Sequence, residues 1–195
     1  MPKVAILGWG SLLWDKRTLQ VSGQWHTDGP WLPIEFARTS GLNKKDNEPY
    51  LSLVLHPNAG LIRTYWEVSL LTEHQDDSIC DLRKREGCSL SRIGYMPNDG
   101  QSQSSIPGVD VRIQEWLSPR RREIDAVIWT NLGPKLVESE IFTVKDSIEW
   151  LENLRKNNRH KTAQEYIQKA PSQSDTCLRH QVRERFDWTD IPIGF

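Results

Sequence analysis

The chain has 195 residues, enough for one domain with a sizeable core. Lys and Arg number 25 against 26 Asp and Glu, so no overall field favours nucleic acid or an anionic membrane surface. Apolar residues make up 37 % and gather in short periodic runs, none near the ~20 residues of a membrane-spanning helix.

In chain order, Lys3–Leu7 reads as a buried strand from its unbroken apolar run, and Gly8-Trp9-Gly10-Ser11 follows as a turn. Leu12–Leu19 is a short helix or a loop. Ile34–Thr39 is a second strand after Pro30 and Pro33, and GLNKKDNEPY is a polar turn. Tyr50–His56 alternates and Leu61–Leu70 is β-rich, so the intervening PNAG predicts a hairpin. Thr72 with Gln75 fits a capping box opening a helix over Glu73–Glu86, which Gly87 stops. Residues 96–108, MPNDGQSQSSIPG, read as a long hairpin tip or a mobile lid. Val109, Val111 and Ile113 alternate as in a strand, the basic run Ser118–Glu123 reads as a solvated turn between strands, and Asp125–Leu132 is a further strand.

The period then changes from two to about 3.6. Ile148, Leu151 and Leu154 mark one helix. Thr162 with Glu165 predicts a second capping box, for a helix ended by Pro171, and Leu178, Val182 and Phe186 mark a third. Strands first and helices after predict an α+β fold with a mixed or antiparallel sheet.

Cys80, Cys88 and Cys177 are odd in number and lack metal-like spacing, and no signal peptide is recognisable. A reduced, cytoplasmic setting is the simplest expectation. The five histidines form no H-x-x-x-H or H-E-x-x-H pattern, so metal-dependent hydrolysis is not expected.

Two stretches carry chemistry. After the first strand, Gly8 and Gly10 let the backbone approach a ligand, and successive N–H groups form a cradle for a carboxylate or an oxyanion. The third glycine of a dinucleotide fingerprint is missing; Leu13 stands there. In the second, CDLRKREGCS, Ile79, Leu82 and Glu86 share one helix face. Burial and the negative end of the helix dipole work against the Glu86 charge, a setting suited to a general base, with Arg83 and Arg85 opposing.

With Trp9-Gly10-Ser11-Leu12 after the first strand and Glu86-Gly87 at a helix end, the first ~135 residues resemble the gamma-glutamylcyclotransferase-like family. Its members typically carry Tyr where Trp9 stands. The resemblance implies an α+β fold with a mixed, partly closed β-barrel-like sheet over residues 1–135, with residues 136–195 a helical extension packed on the same domain. It implies cyclisation of a γ-glutamyl amide or peptide to 5-oxoproline with release of an amine, a reaction that requires no metal or redox cofactor. Glu86 is the general acid/base, Gly8, Trp9, Gly10, Ser11 and Leu12 bind substrate, and the partner is a small γ-glutamyl compound, with neither nucleic acid nor membrane. The alternatives are a non-catalytic small-molecule binding protein of the same fold and a protein-interaction module with a Trp-rich surface.

Overall fold

The structure is a computed structural model that describes residues 1–41, 48–100, 106–136 and 143–192. The chain divides into two compact units, one of Met1–Leu32 with Arg63–Leu132, the other of Pro33–Ile62 with the residues from Gly133 on. Both mix strands and helices, so the α+β expectation holds. The described strands form two open sheets rather than one partly closed barrel. No helix among the described residues is long and apolar enough to cross a membrane.

The first unit is built on a four-stranded sheet. Its strands are β1 (Val4–Gly8), β5 (Tyr65–Val68), β6 (Ile93–Pro97) and β7 (Ala126–Thr130). β1 runs parallel to β7 and antiparallel to β5, and β6 is antiparallel to β7. β1 is buried along its whole length, which is why it reads as an unbroken apolar run. Helix α1 (Gln75–Glu86) packs against β6 and β7, and Leu82 joins Ile6, Leu12, Trp25 and Ile128 in one core.

Three expectations in this unit are corrected. The capping box at Thr72 does not form. His74 is the N-cap without a side-chain bond, and the Gln75 amide oxygen accepts from the Tyr95 hydroxyl at 2.6 Å. Val109–Leu117 is a helix, α2, not a strand. Val109, Ile113, Trp116 and Leu117 are buried, at helical spacing, while Val111 is exposed; the alternation at 109, 111 and 113 fits either period over so short a run. Trp116 is therefore helical. The basic run follows α2, and Arg120 is not merely solvated. It pairs with Asp28 at 2.7 Å and lies over the Trp116 ring at 4.6 Å. Of the proposed lid, residues 96 and 97 belong to β6, and residues 101–105 lie outside the described residues.

The second unit holds β2 (Trp31–Ser40), β3 (Tyr50–Leu55) and β4 (Leu61–Arg63) in the order β3-β2-β4, strand ends reaching the unit boundary. The expected hairpin across PNAG is thus replaced: β2 lies between the two strands that PNAG joins. The long run 61–70 is also two strands, and buried Thr64 between them donates both its N–H and its hydroxyl to the Pro30 carbonyl, at 3.1 and 2.8 Å. The polar turn falls largely outside the described residues, which omit 42–47.

Helices α3 (Val144–Lys156), α4 (Lys161–Lys169) and α5 (Cys177–Phe186) complete this unit. They group with residues 33–62, a division other than one at residue 135. The Ser147 hydroxyl donates to the Phe36 carbonyl at 3.4 Å, and Tyr166 stacks on Tyr50 with centroids 4.8 Å apart. The box expected at Thr162 does not form, since His160 is the N-cap and Glu165 pairs with Lys169. A reciprocal box forms instead at the start of α3, between Thr143 and Asp146.

Glu35 of β2 is 3 % exposed and ties β2 to the start of α5. Its carboxylate accepts the Phe36 N–H at 2.8 Å and the Leu178 N–H at 3.3 Å. Burial pushes its carboxyl above the usual range, against the hydrogen bonds from Thr176, Phe36 and Leu178 and the charge of His56. The folded chain therefore holds this proton to higher pH than the unfolded chain does, so the Glu35 contribution to stability is fully present below the unfolded value of ~4.3 and falls as pH rises through the folded value. Urea unfolding of the wild type and Glu35→Gln from pH 4 to pH 7 checks this. The wild type should lose stability relative to the variant as pH rises, and a relative gain would contradict it.

Candidate functional site

β1 ends at Gly8, a position set by packing. A Cβ there would lie 2.6 Å from Cζ3 of Trp25 and 3.0 Å from Cδ2 of Leu13. Trp9 is extended, Gly10 takes φ +57°, and Gly10–Leu12 forms a single 3-10 turn. The Leu13 N–H donates to the Gly10 carbonyl at 3.2 Å and the Asp15 N–H to the Ser11 carbonyl at 2.9 Å.

Four of the five turn residues are buried: Gly8, Trp9, Gly10 and Leu12. Trp9 and Leu12 spend their side chains on packing, at 7 % and 3 % exposure. Ser11 is the half-buried member, and its hydroxyl is the group that faces the second motif.

That motif closes α1. Gly87 is left-handed at φ +63°, and the Cys88 N–H reaches back to the Arg83 carbonyl at 3.4 Å. Glu86 is therefore fixed in the last turn, with its side chain 16 % exposed. Beside it Arg85 is 4 % exposed and donates in three directions. Nη1 reaches Glu86 Oε1 at 2.7 Å, and Nη2 reaches Ser11 Oγ at 3.3 Å and the Asp15 carbonyl at 2.6 Å. Arg17 returns the contact, Nη1 donating to the Arg85 carbonyl at 3.3 Å, and the Asp81 carboxylate accepts the Gln20 N–H at 2.7 Å.

The two motifs thus meet through one guanidinium. Ser11 and Glu86 are held at the same place, joined by a side chain that sequence reasoning noted only as a neighbouring charge. The signal was present: Arg85 and Glu86 stand three and four residues after Leu82, so both border the face that Leu82 buries. Missing was the partner, because the Asp15 carbonyl is 70 positions away in the chain. The Nε of Arg85 is buried without a hydrogen-bond partner, an arrangement that costs ~1–3 kcal/mol until a ligand atom or water meets it.

Tyr95, the nearest aromatic hydroxyl after Glu86-Gly87, bonds Gln75 at the opposite end of α1, ~16 Å along the helix axis from Glu86. Three surface grooves among the described residues of this unit lie elsewhere: one runs past Ser22, Trp25, His26 and Glu67, one past Gln75, Tyr95, Asp99 and Asp125, and one past Pro2, Glu73 and Asp76. Among the described residues no group of three or more His, Cys, Asp and Glu side chains is placed to hold a metal ion.

Breaking the bridge should be felt in folding. Arg85→Met removes a buried cation from Glu86, Ser11 and the Asp15 carbonyl and is expected to lower unfolding free energy by about 3 kcal/mol, as for a buried pair broken on one side. Urea denaturation measures this, and a change under about 0.5 kcal/mol would mean that the contacts are not formed in solution.

The class that fold and site define is an α+β protein with a carboxylate–guanidinium–hydroxyl cluster where the first strand's turn meets a helix end. Comparison with protein-family models, with curated proteins and with solved structures gives no match.

Proposed function

We propose that the chain is a γ-glutamylcyclotransferase-like enzyme that converts a γ-glutamyl amide or peptide to 5-oxoproline and a free amine. One observation carries this reading: Arg85 joins the Ser11 hydroxyl and the Glu86 carboxylate, so that the two motifs of the sequence resemblance occupy one place.

The reaction suits that equipment. The substrate's α-amino nitrogen attacks its own γ-carbonyl carbon, so no protein nucleophile is required. Glu86 accepts the proton that the amino group gives up. As the C–N bond to the leaving amine breaks, the same carboxyl returns a proton to it. Ser11 and Arg85 hold the substrate's α-carboxylate beside the Gly10–Leu12 turn. A carboxylate on the guanidinium takes over part of its hydrogen bonding and releases a Glu86 oxygen towards the amine. Holding the substrate folded for ring closure supplies a further part of the rate, up to ~7–11 kcal/mol in favourable intramolecular reactions.

The test is incubation with a panel of γ-glutamyl peptides and amines, quantifying 5-oxoproline and amine together. Equal amounts of both are expected from at least one compound. Its N-acetylated analogue should be inert, because its nitrogen can no longer attack. No 5-oxoproline from any compound, or turnover of the acetylated analogue, would contradict the mechanism.

A second reading has its own support. The 2.7 Å Arg85–Glu86 pair and the tight packing of Gly8 and Trp9 also suit a non-catalytic binding protein, in which the guanidinium is a tie between α1 and the turn. In that case a γ-glutamyl compound binds without turnover.

A further inference from the structure

In the second unit the last turn of α3, the turn into α4 and the last turn of α5 converge on a groove of about 740 Å³. Arg155, Lys156 and Arg185 line it with three cations, and His160 adds an imidazole, against one carboxylate, Glu152. The sequence around it, RKNNRHK over residues 155–161, is the most basic stretch of that unit's helical part, in a chain of net charge −1.

Each cation has an ordinary reason to stand where it does, since basic residues in a last helical turn complement the dipole. That reason does not make two helix ends face one groove. Like charges lining a single recess repel one another unless an anion lies between them. The charges are also poorly neutralised from within. Glu152 approaches Arg185 only to 3.8 Å, and among the described residues no carboxylate forms an ion pair with Arg155 or Lys156.

Two further features fix the recess. The Arg155 guanidinium lies 4.5 Å over the Phe186 ring, and both residues line the groove. Asn158, left-handed at φ +54°, turns the chain so that His160 lies nearly parallel to Trp188, at 10° with centroids 6.2 Å apart. The His160 Nδ1 is buried and has no hydrogen-bond partner. A polar atom left so in a cationic groove calls for a ligand or water atom.

We propose that this groove binds a small oligophosphate-type anion. Three cations and an imidazole exceed what a single carboxylate neutralises, and two guanidinium groups match phosphate oxygens in geometry as well as charge. The volume falls in the range of small-molecule sites. The proposal does not depend on the cyclotransferase reading, which concerns the other unit.

Calorimetric titration with inorganic tripolyphosphate at 0.15 M salt tests it on the full chain. Saturable binding of one anion per chain is expected. Arg185→Gln and Lys156→Gln, both at exposed side chains, should each weaken it about tenfold with unchanged melting temperature. Absence of binding, or binding that both substitutions leave intact, would overturn the proposal. So would tighter binding of a 20-base-pair DNA duplex that the same substitutions abolish, because the basic groove would then be part of a nucleic-acid surface.

Discussion

Arg179→Ala should cost the second unit about 3–5 kcal/mol of stability, the range for a buried ion pair broken by removing one partner. Arg179 in α5 is 1 % exposed, and its guanidinium is saturated. Nη1 donates to the carbonyls of Pro171 and Ser174 at 2.5 and 3.3 Å, Nη2 to that of Ala170 at 2.5 Å, and Nε to Asp190 at 3.1 Å. Burial holds its pKa below the usual arginine value, with the Asp190 carboxylate acting the other way. Truncation takes the Arg179 donor from the Ala170 carbonyl and a second donor from those of Pro171 and Ser174, which keep the N–H groups of Ser174 and Thr176, in the turn between α4 and α5, where Pro171 forbids the helix to continue. It also leaves Asp190 to Arg183 alone, at 2.6 Å. Arg179→Lys should recover only part, because an ammonium cannot span the same fork of acceptors. Urea unfolding measures both, and an Arg179→Ala midpoint equal to that of the wild type would contradict the network.

The elements legible in the sequence are those whose signal is local. β1 and β7 show unbroken apolar runs because both faces are covered, and α3 and α5 show a clear 3.6 period. Gly87 marks the end of α1 because only a left-handed residue closes that helix. What was not legible depends on partners far away in the chain. β6 gives a short, weak run and becomes a strand by pairing Ile93–Pro97 with β7 in register. The choice of β2 as the neighbour of both β3 and β4 is likewise made by the sheet, not by the PNAG turn between them. The site follows the same division. Glu86 could be placed at a helix end, and Ser11 in a turn, from residues nearby. That Gly8 serves Trp25, that Leu12 is core, and that Arg85 links the turn to the helix are tertiary facts.

Glu86→Gln bears most directly on the account. The substitution keeps the volume and one oxygen to accept from Arg85 Nη1, and it removes the capacity to take a proton. Positioned acid–base groups contribute ~10²–10⁴-fold to rate, and here one carboxyl would serve both the attacking and the leaving nitrogen. Some stability is lost as well, since the buried Arg85 loses its anionic partner, so the two proteins are compared well below the melting temperature of each. The measurement is the rate of 5-oxoproline release from the best γ-glutamyl substrate at equal folded concentrations. A fall of about a hundredfold or more in kcat, with substrate still bound, is the predicted result. Equal rates in the folded wild type and variant would remove Glu86 from the chemistry and the cyclotransferase mechanism with it.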